Sequence, residues 1–201
     1  MILGLTGSLG SGKSTVAEMI RVMTEAVIID ADSIVHDLQK PGTPVFRSIV
    51  EEFGPAVTGA DGTLDRKKLA ALVFTDEAKR QKLNDIVHPA VHDEELKLLK
   101  LHENAPLVVL MVPLLFEVGM DELTDKTAVV VVNEPERHYR LKERSGLTPT
   151  QIRTRLAAQM SQEDKIQKAD YLINNSGTLE ATRQQVSALL QQIGIAAAPT
   201  A

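Results

Sequence analysis

The chain has 201 residues, which is enough for one domain with a smaller inserted lobe. Its 43% hydrophobic and 24% charged residues are typical of a globular protein and exclude long disorder or a fibrous repeat. The net charge of −5 disfavours broad nucleic-acid binding, and zero cysteines exclude disulfides, thiolate metal sites and a cysteine nucleophile. Because no apolar run is long enough to span a bilayer and nothing resembles a secretory signal, we expect a cytoplasmic protein.

Five short apolar runs predict buried parallel strands, because they are continuously apolar instead of alternating. In chain order they are ILGLT from Ile2, AVIID from Ala26, LVVLMVP from Leu107, AVVVVN from Ala128 and YLINN from Tyr171. Amphipathic spacing predicts helices over residues 14–24 and 179–193. Strands that alternate with helices predict a doubly wound α/β fold.

Two intervals are too long to be simple crossovers between strands. Residues 31–106 contain helical patterns and the turn signals KPGTP and GADGT, and we interpret them as a lobe over the carboxyl edge of the sheet. Residues 134–168 are charged and helical with a break at SGLTPT, and we interpret them as a mobile lid. The core would then comprise residues 1–30, 107–133 and 169–195.

The stretch GSLGSGKS matches the phosphate-loop pattern G-x-x-x-x-G-K-[ST] through Gly7, Gly12, Lys13 and Ser14. A predicted strand leads in and an amphipathic helix leads out, so the backbone amides would face one concavity at a helix N-terminus. Lys13 would reach the β- and γ-phosphates, and the Ser14 hydroxyl would bind Mg²⁺. The alternative is a glycine-rich turn in which Ser14 caps the helix. The motifs D-x-x-G and N-K-x-D of GTP switches are absent, which favours ATP.

Two aspartates follow the second predicted strand, in the stretch IIDADSIVH. Asp30 and Asp32 would face the same side if the extended geometry continues. One carboxylate could then join the hydration shell of the metal while the other takes the proton of a substrate hydroxyl. In the alternative, Asp32 caps a helix that starts at Ser33. The third predicted strand ends without an acid that could be the second metal ligand, and the nearest acid is Glu117 in VPLLFE. In the alternative, VPLLFE is only a core strand followed by a helix start.

Basic residues concentrate in the predicted lid of this otherwise acidic chain, namely Arg137, Arg140, Arg144, Arg153 and Arg155. Arg140 and Arg144 share a helix face, and a guanidinium over the transferring phosphoryl group would offset its growing charge. The alternative for each arginine is a solvated surface charge. His88 precedes Pro89, and because proline suits the first helical turn, VHPAV could be a helix start.

Taken together, these residues resemble the dephospho-coenzyme A kinase family. The resemblance extends over nearly the whole chain through GLTGSLGSGKST, IDAD with a histidine four residues on, PGTP, DGTLDRKKL, IVHP, VPLLFE, RLKER, RLAAQ and KADYLINNSG. The phosphate loop is common to many NTPases, whereas DAD, HP and PLLFE in this order and spacing are specific to the family. Two positions depart from the family pattern: Ser8 stands where glycine is frequent, and Arg137 where glutamine is frequent.

The resemblance implies a three-layer P-loop NTPase fold with a five-stranded parallel sheet, an inserted helical substrate lobe and a helical lid. It implies transfer of the γ-phosphate of ATP to the 3′-hydroxyl of the ribose of dephospho-coenzyme A, the last step of coenzyme A synthesis. Asp32 would be the general base, with Lys13 and Arg144 stabilising the transferring phosphoryl group.

The resemblance also implies the binding residues. The acceptor would lie along Thr6, Asp32, His88 and Phe116, and Ser14 would help to hold Mg²⁺. The other expected metal ligand is Asp30, from its position after the second predicted strand and not from the resemblance. ATP would be bound by Gly10, Ser11, Gly12, Lys13, Ser14, Thr15, Arg140, Asn175 and Gly177, with the stretch NNSG at 174–177 near the adenine.

Two other functions compete with this one. The closest is another small P-loop kinase that acts on a nucleoside monophosphate or a sugar, and the second is a nucleotide-dependent regulatory switch with slow hydrolysis. The expected partners are the small molecules ATP and dephospho-coenzyme A, without nucleic acid or membrane, and we expect a monomer.

Overall fold

The computed structural model describes residues 1–74, 76–145 and 148–196, and for residues 144, 145 and 149 it describes the backbone alone. The chain divides into two compact units. The sheet unit comprises Met1–Asp30 together with the chain from His102 onward, and the helical unit comprises Ala31–Leu101. The functional division into core, substrate lobe and lid stays a prediction.

The sheet unit contains β1 (Ile2–Thr6), β2 (Val27–Asp30), β3 (Val108–Met111), β4 (Lys126–Val131) and β5 (Tyr171–Asn174). The strand order is β2-β3-β1-β4-β5, and every neighbouring pair is parallel. All five apolar runs are therefore strands, and the predicted α/β fold with a parallel sheet is confirmed. Because β1 is central, its carboxyl end opens in the middle of the sheet edge where ligands of such folds bind.

The α-helices are, in chain order, α1 (Lys13–Thr24), α2 (Ala31–Leu38), α3 (Pro44–Phe53), α4 (Arg66–Phe74), α5 (Glu77–Leu101), α6 (Glu134–Ser145), α7 (Pro149–Ala157), α8 (Gln162–Lys168) and α9 (Leu179–Gln192). Those predicted over 14–24 and 179–193 correspond to α1 and α9 within one residue at each end. No helix in the described ranges is both long and apolar enough to cross a membrane.

The core of the sheet unit lies between the sheet and the apolar faces of α1 and α9. Val16 and Ile20 of α1 and Val186 and Leu190 of α9 are completely buried and pack with the strands. Their spacing of three to four residues is what places them on one face of each helix. This packing anchors α1, and therefore its N-terminus, against the carboxyl edge of the sheet.

The helical unit has a separate core formed by Val45, Ile49, Val57, Leu64, Leu69 and Val87. Its longest helix, α5, packs against α2, α3 and α4. The interpretation of VHPAV as a helix start is wrong, because Pro89 lies inside α5. A proline there removes one backbone hydrogen bond and strains the preceding turn. Packing against three other helices holds α5 together on both sides of Pro89.

Glu95 is a buried carboxyl group on α5. It is 2% exposed, and its Oε1 has no hydrogen-bond partner among the described residues. Burial raises its pKa from 4.5 to about 7, because the charged form loses its hydration. Between these two values the folded protein keeps a proton that the unfolded chain has lost. The free energy of unfolding therefore decreases as the pH rises through this window.

We expect Glu95→Gln to remove this pH dependence. The neutral amide avoids the cost of ionisation, so the variant should be more stable than the parent at pH 8 and similar at pH 4, with a parental slope of at most about 1.4 kcal/mol per pH unit between them. Urea unfolding at several pH values measures this difference. Glu94→Gln, which removes a solvent-accessible carboxylate paired with Lys97, is the control and should keep the parental slope. An unchanged slope in Glu95→Gln would contradict the assignment.

Candidate active site

The phosphate loop, residues 7–14, connects β1 to α1 and can only be built with glycine at two positions. A Cβ on Gly7 would lie 2.4 Å from the backbone oxygen of Val130, which belongs to β4. Gly12 has a φ of 90°, and a Cβ there would lie 2.1 Å from Asn175 Nδ2. Both glycines therefore allow other atoms of the protein to approach the loop backbone closely, and Gly12 also adopts a left-handed backbone conformation that glycine favours.

The loop brings the Lys13 amine and the N-terminus of α1 together. Lys13 Nζ donates to the Gly7 carbonyl at 2.8 Å, which folds the lysine side chain back over the loop. Gly12 caps α1, whose first amides have no partners within the helix, and the first turn of α1 contains no acidic residue. The positive end of the helix dipole is thus unopposed by local carboxylates. Such an arrangement can bind phosphate groups.

Side chains from the C-terminal part of the chain hold the loop from outside. Gln159 Oε1 accepts from the Leu9 backbone N–H at 3.1 Å, and Asn175 Nδ2 donates to the Ser11 carbonyl at 2.8 Å. Leu141 contacts Gly10, where a Cβ would lie 3.0 Å from Leu141 Cγ. Gln159 was not among the predicted site residues, although the RLAAQ motif contains it.

The arginines of the predicted lid lie in different environments. Arg140 donates to Glu136 at 2.9 Å and to the Asn175 carbonyl at 2.8 Å, so it lies beside the loop. Arg137 is 9% exposed and donates to Gln162 Oε1 at 2.6 Å, while its Nε has no partner in the described part of the chain. Arg153 and Arg155 are exposed on α7. Arg144 lies in α6, and its side chain is outside the described residues.

Buried polar contacts hold the turn after β3 to α8. Lys165 is fully buried, and its Nζ donates to the Pro113 carbonyl at 2.6 Å and lies 2.9 Å from Glu117 Oε1. The same Pro113 carbonyl accepts from Thr6 Oγ1 at 3.2 Å, and Glu117 Oε1 also accepts from the Met160 backbone at 2.8 Å. Glu117 is thus committed to an ion pair. The alternative of a core strand followed by a helix start within VPLLFE is wrong, because β3 ends at Met111 and residues 113–119 form turns.

The two predicted acids do not continue one strand. Asp30 ends β2, whereas Asp32 is in the first turn of α2, which begins at Ala31. The chain turns into a helix directly after β2, so the expectation that extended geometry continues from Asp30 to Asp32 is wrong. The alternative of a helix that starts at Ser33 is wrong for the same reason. The register pairs Asp30 with Met111 and Met111 with Leu5, so two strand spacings, about 10 Å, separate the backbone of Asp30 from that of β1.

The remaining predicted residues are placed as follows. Thr6 is buried at the end of β1, Phe116 is half-buried in the turn after β3, and His88 is exposed on α5. Thr15 belongs to the first turn of α1, and Gly177 is exposed between β5 and α9. Their roles stay predictions.

The donor set fits a magnesium ion that arrives with a nucleotide. Among the described residues, no cluster of three or more His, Cys, Asp or Glu forms a ready-made metal cage. Ser14 is exposed at the start of α1, and Asp30 lies at the same edge of the sheet. A hydroxyl and a carboxylate are the few protein oxygens that Mg²⁺ requires when phosphates and water supply the rest.

A phosphate loop between the central strand of a parallel sheet and the following helix is the arrangement of P-loop NTPases. A solved structure from Thermus thermophilus matches with a TM-score of 0.78 at 34% identity, covering 96% of this chain and 97% of that one.

Sequence comparison gives the family. The profile described as dephospho-CoA kinase matches residues 1–181. The dephospho-CoA kinase of Symbiobacterium thermophilum is 51% identical over 93% of this chain and 79% of its own length. That of Geobacillus kaustophilus is 44% identical over 96% of both chains. The chain belongs to the dephospho-CoA kinase family.

We expect Gly12→Ala to abolish nucleotide binding, because the added methyl group would displace the Asn175 amide and strain the backbone. Gly42 has the same φ of 90°, but a methyl group there would have nothing within 4 Å, so Gly42→Ala measures the backbone strain alone. That control should lose about 1 to 2 kcal/mol of stability and bind ATP normally. Calorimetric titration with Mg·ATP measures both variants. Normal ATP binding by folded Gly12→Ala would contradict the described loop.

Proposed function

We propose that the protein transfers the γ-phosphate of ATP to the 3′-hydroxyl of the ribose of dephospho-coenzyme A and releases coenzyme A and ADP. This reaction is the last step of coenzyme A synthesis. The observation that carries the proposal is the family match over residues 1–181, which includes the phosphate loop.

The phosphate loop supplies binding and charge neutralisation. Its amides, the positive end of α1 and Lys13 together surround the β- and γ-phosphates, where negative charge moves during transfer. Because Gln159 and Asn175 hold the loop from outside, its donors need little rearrangement when the nucleotide binds. We assign Gly10, Ser11, Gly12, Ser14 and Thr15 to the same ATP site. Mg²⁺, held by Ser14 and Asp30, would neutralise phosphate charge.

Asp32 is proposed as the general base. As the 3′-oxygen of the ribose attacks the γ-phosphorus, the Asp32 carboxylate takes the hydroxyl proton. The bond between the γ-phosphorus and the β–γ bridging oxygen breaks, and ADP leaves with those electrons. A base of this kind contributes about 10² to 10⁴ in rate, and alignment of the two substrates supplies much of the remainder.

The remaining assignments follow the family resemblance. Arg144 would stabilise the transferring phosphoryl group and Arg140 would contribute to ATP binding. Thr6, His88 and Phe116 would line the acceptor site. Asn175 and Gly177 belong to the ATP site in this assignment, and Asn175 is considered further below. The helical unit would act as the substrate lobe and residues 134–168 as the lid.

The proposed setting of the enzyme is the cytoplasm. A chain without cysteine is consistent with a reducing compartment. We propose that a monomer carries out the reaction on two small-molecule substrates, without nucleic acid or membrane.

The purified protein should release ADP only when both substrates and Mg²⁺ are present. A coupled assay follows ADP, and mass spectrometry with phosphorus NMR locates the new phosphate, which we expect on the 3′ position of the ribose. Without Mg²⁺, turnover should fall to background because the charge of the triphosphate is no longer neutralised. Rapid turnover with a nucleoside monophosphate or a sugar, and none with dephospho-coenzyme A, would contradict the proposal.

Asp32→Asn should lower kcat by about 10² to 10⁴ while ATP affinity stays nearly constant, because the amide keeps the shape and loses the basicity. Steady-state kinetics and calorimetry separate the two quantities. Asp37→Asn on the same helix removes an exposed carboxylate that pairs with Lys40, and it should leave both unchanged. If Asp32→Asn lowered ATP affinity as much as kcat, the residue would be structural.

A further inference from the structure

The Asn175 side chain lies outside the phosphate loop and is fully engaged by the protein. It is 3% exposed, its Nδ2 donates to the Ser11 carbonyl at 2.8 Å, and its Oδ1 accepts from Thr182 Oγ1 at 3.0 Å. Its backbone N–H donates to Val131 at 2.8 Å, and its carbonyl accepts from Arg140 at 2.8 Å. Each backbone and side-chain polar group of Asn175 therefore has a protein partner.

The contact with Ser11 determines the direction of the next amide in the loop. In a trans peptide the carbonyl of one residue and the N–H of the following residue point in opposite directions. Asn175 holds the Ser11 carbonyl on the outer side, so the Gly12 N–H points away from Asn175. Among the described residues, that N–H has no hydrogen-bond partner, which leaves it available to a ligand at the N-terminus of α1.

The same amide group occupies the space that a side chain at position 12 would fill. A Cβ on Gly12 would lie 2.1 Å from Asn175 Nδ2. Thr182 is completely buried and donates to Oδ1, which fixes the orientation of the amide and presents Nδ2 to Ser11. The glycine, the asparagine and the threonine thus form one packed unit that leaves the Ser11–Gly12 peptide a single orientation.

We propose that Asn175 is a positioning residue for the triphosphate, which acts through the Ser11–Gly12 peptide and not through the adenine. It keeps the Gly12 N–H directed at the phosphate before the nucleotide binds. Without Asn175 the Ser11 carbonyl would lose its partner and the Ser11–Gly12 peptide could rotate. The Gly12 N–H would then no longer point at the phosphate. The inference rests on the proposed function only for ATP as the ligand, and it does not depend on the identity of the acceptor.

The test uses the two halves of ATP as separate probes for the full-length protein. We expect Asn175→Ala to bind inorganic tripolyphosphate with Mg²⁺ about tenfold more weakly, since a buried carbonyl loses its partner and a loop donor loses its orientation. Binding of adenosine should be unchanged. Weaker adenosine binding with unchanged tripolyphosphate binding would overturn the inference in favour of an adenine contact, and unchanged binding of both probes would overturn it as well.

Two further variants separate positioning from loss of folding. Asn175→Leu keeps the branched shape without a donor and should show the same selective loss of tripolyphosphate affinity, with thermal unfolding confirming a folded protein. Gln185→Ala is the matched control, since Gln185 bonds both backbone groups of Asn174 at the same corner of β5 and α9 without touching the loop. It should bind tripolyphosphate normally. If Gln185→Ala reduced tripolyphosphate affinity equally, the effect would be structural and the inference wrong.

Because no acceptor is present in these titrations, their outcome is independent of the proposed reaction. If the protein failed to phosphorylate dephospho-coenzyme A, a selective loss of tripolyphosphate affinity in Asn175→Ala would still support the role of Asn175. Unaltered tripolyphosphate binding in that variant would reject the role of Asn175 and leave the proposed reaction standing.

Discussion

The orientation of a few peptide groups between β1 and α1 is the constraint on which the site depends. Within the loop the Ser11 N–H donates to the Ser8 carbonyl at 3.1 Å, and other parts of the protein also hold the shape of the loop. Here that support comes from outside the concavity, through the Gln159 contact to Leu9 and the Asn175 contact to Ser11. The inner side of the loop is thereby left to the ligand.

The rest of the sheet unit follows from this requirement. The central position of β1 brings β4 close enough for its Val130 carbonyl to exclude any side chain at Gly7. The Asn133 backbone N–H donates to Ser176 Oγ and joins the ends of β4 and β5, and the buried ion pair of Lys165 with Glu117 joins the turn after β3 to α8. Breaking such a buried pair leaves an uncompensated charge, so these contacts favour one arrangement of the strand ends around the loop.

The sequence could predict most of the fold because its strands and core helices have distinct periodicities. The run LVVLMVP is continuously apolar because β3 is buried on both faces, and the spacing of Val16 and Ile20 reflects one buried face of α1. The loop itself was predictable, because its glycines are required by geometry that the motif encodes. Pro89 misled the prediction, since packing of α5 with other helices outweighs the local preference of proline for a first turn.

The supports of the site could not be predicted in the same way. Asn175 and Ser11 are 164 residues apart, and Leu9 and Gln159 are 150 apart, so no local pattern connects them. Lys165 has the charge of a surface residue but is fully buried. The turn from β2 directly into α2 was also missed, because the spacing of Asp30 and Asp32 fits both a strand and a helix start.

The most direct measurement is a crystal structure with a non-hydrolysable ATP analogue and dephospho-coenzyme A bound together. We expect the β- and γ-phosphates on the amides of residues 10–15, with the γ-phosphorus about 3 to 3.5 Å from the 3′-oxygen of the ribose and in line with it. The Asp32 carboxylate should lie within hydrogen-bond distance of that oxygen. A triphosphate outside the loop, or an Asp32 carboxylate out of reach of the 3′-oxygen, would contradict the proposed mechanism.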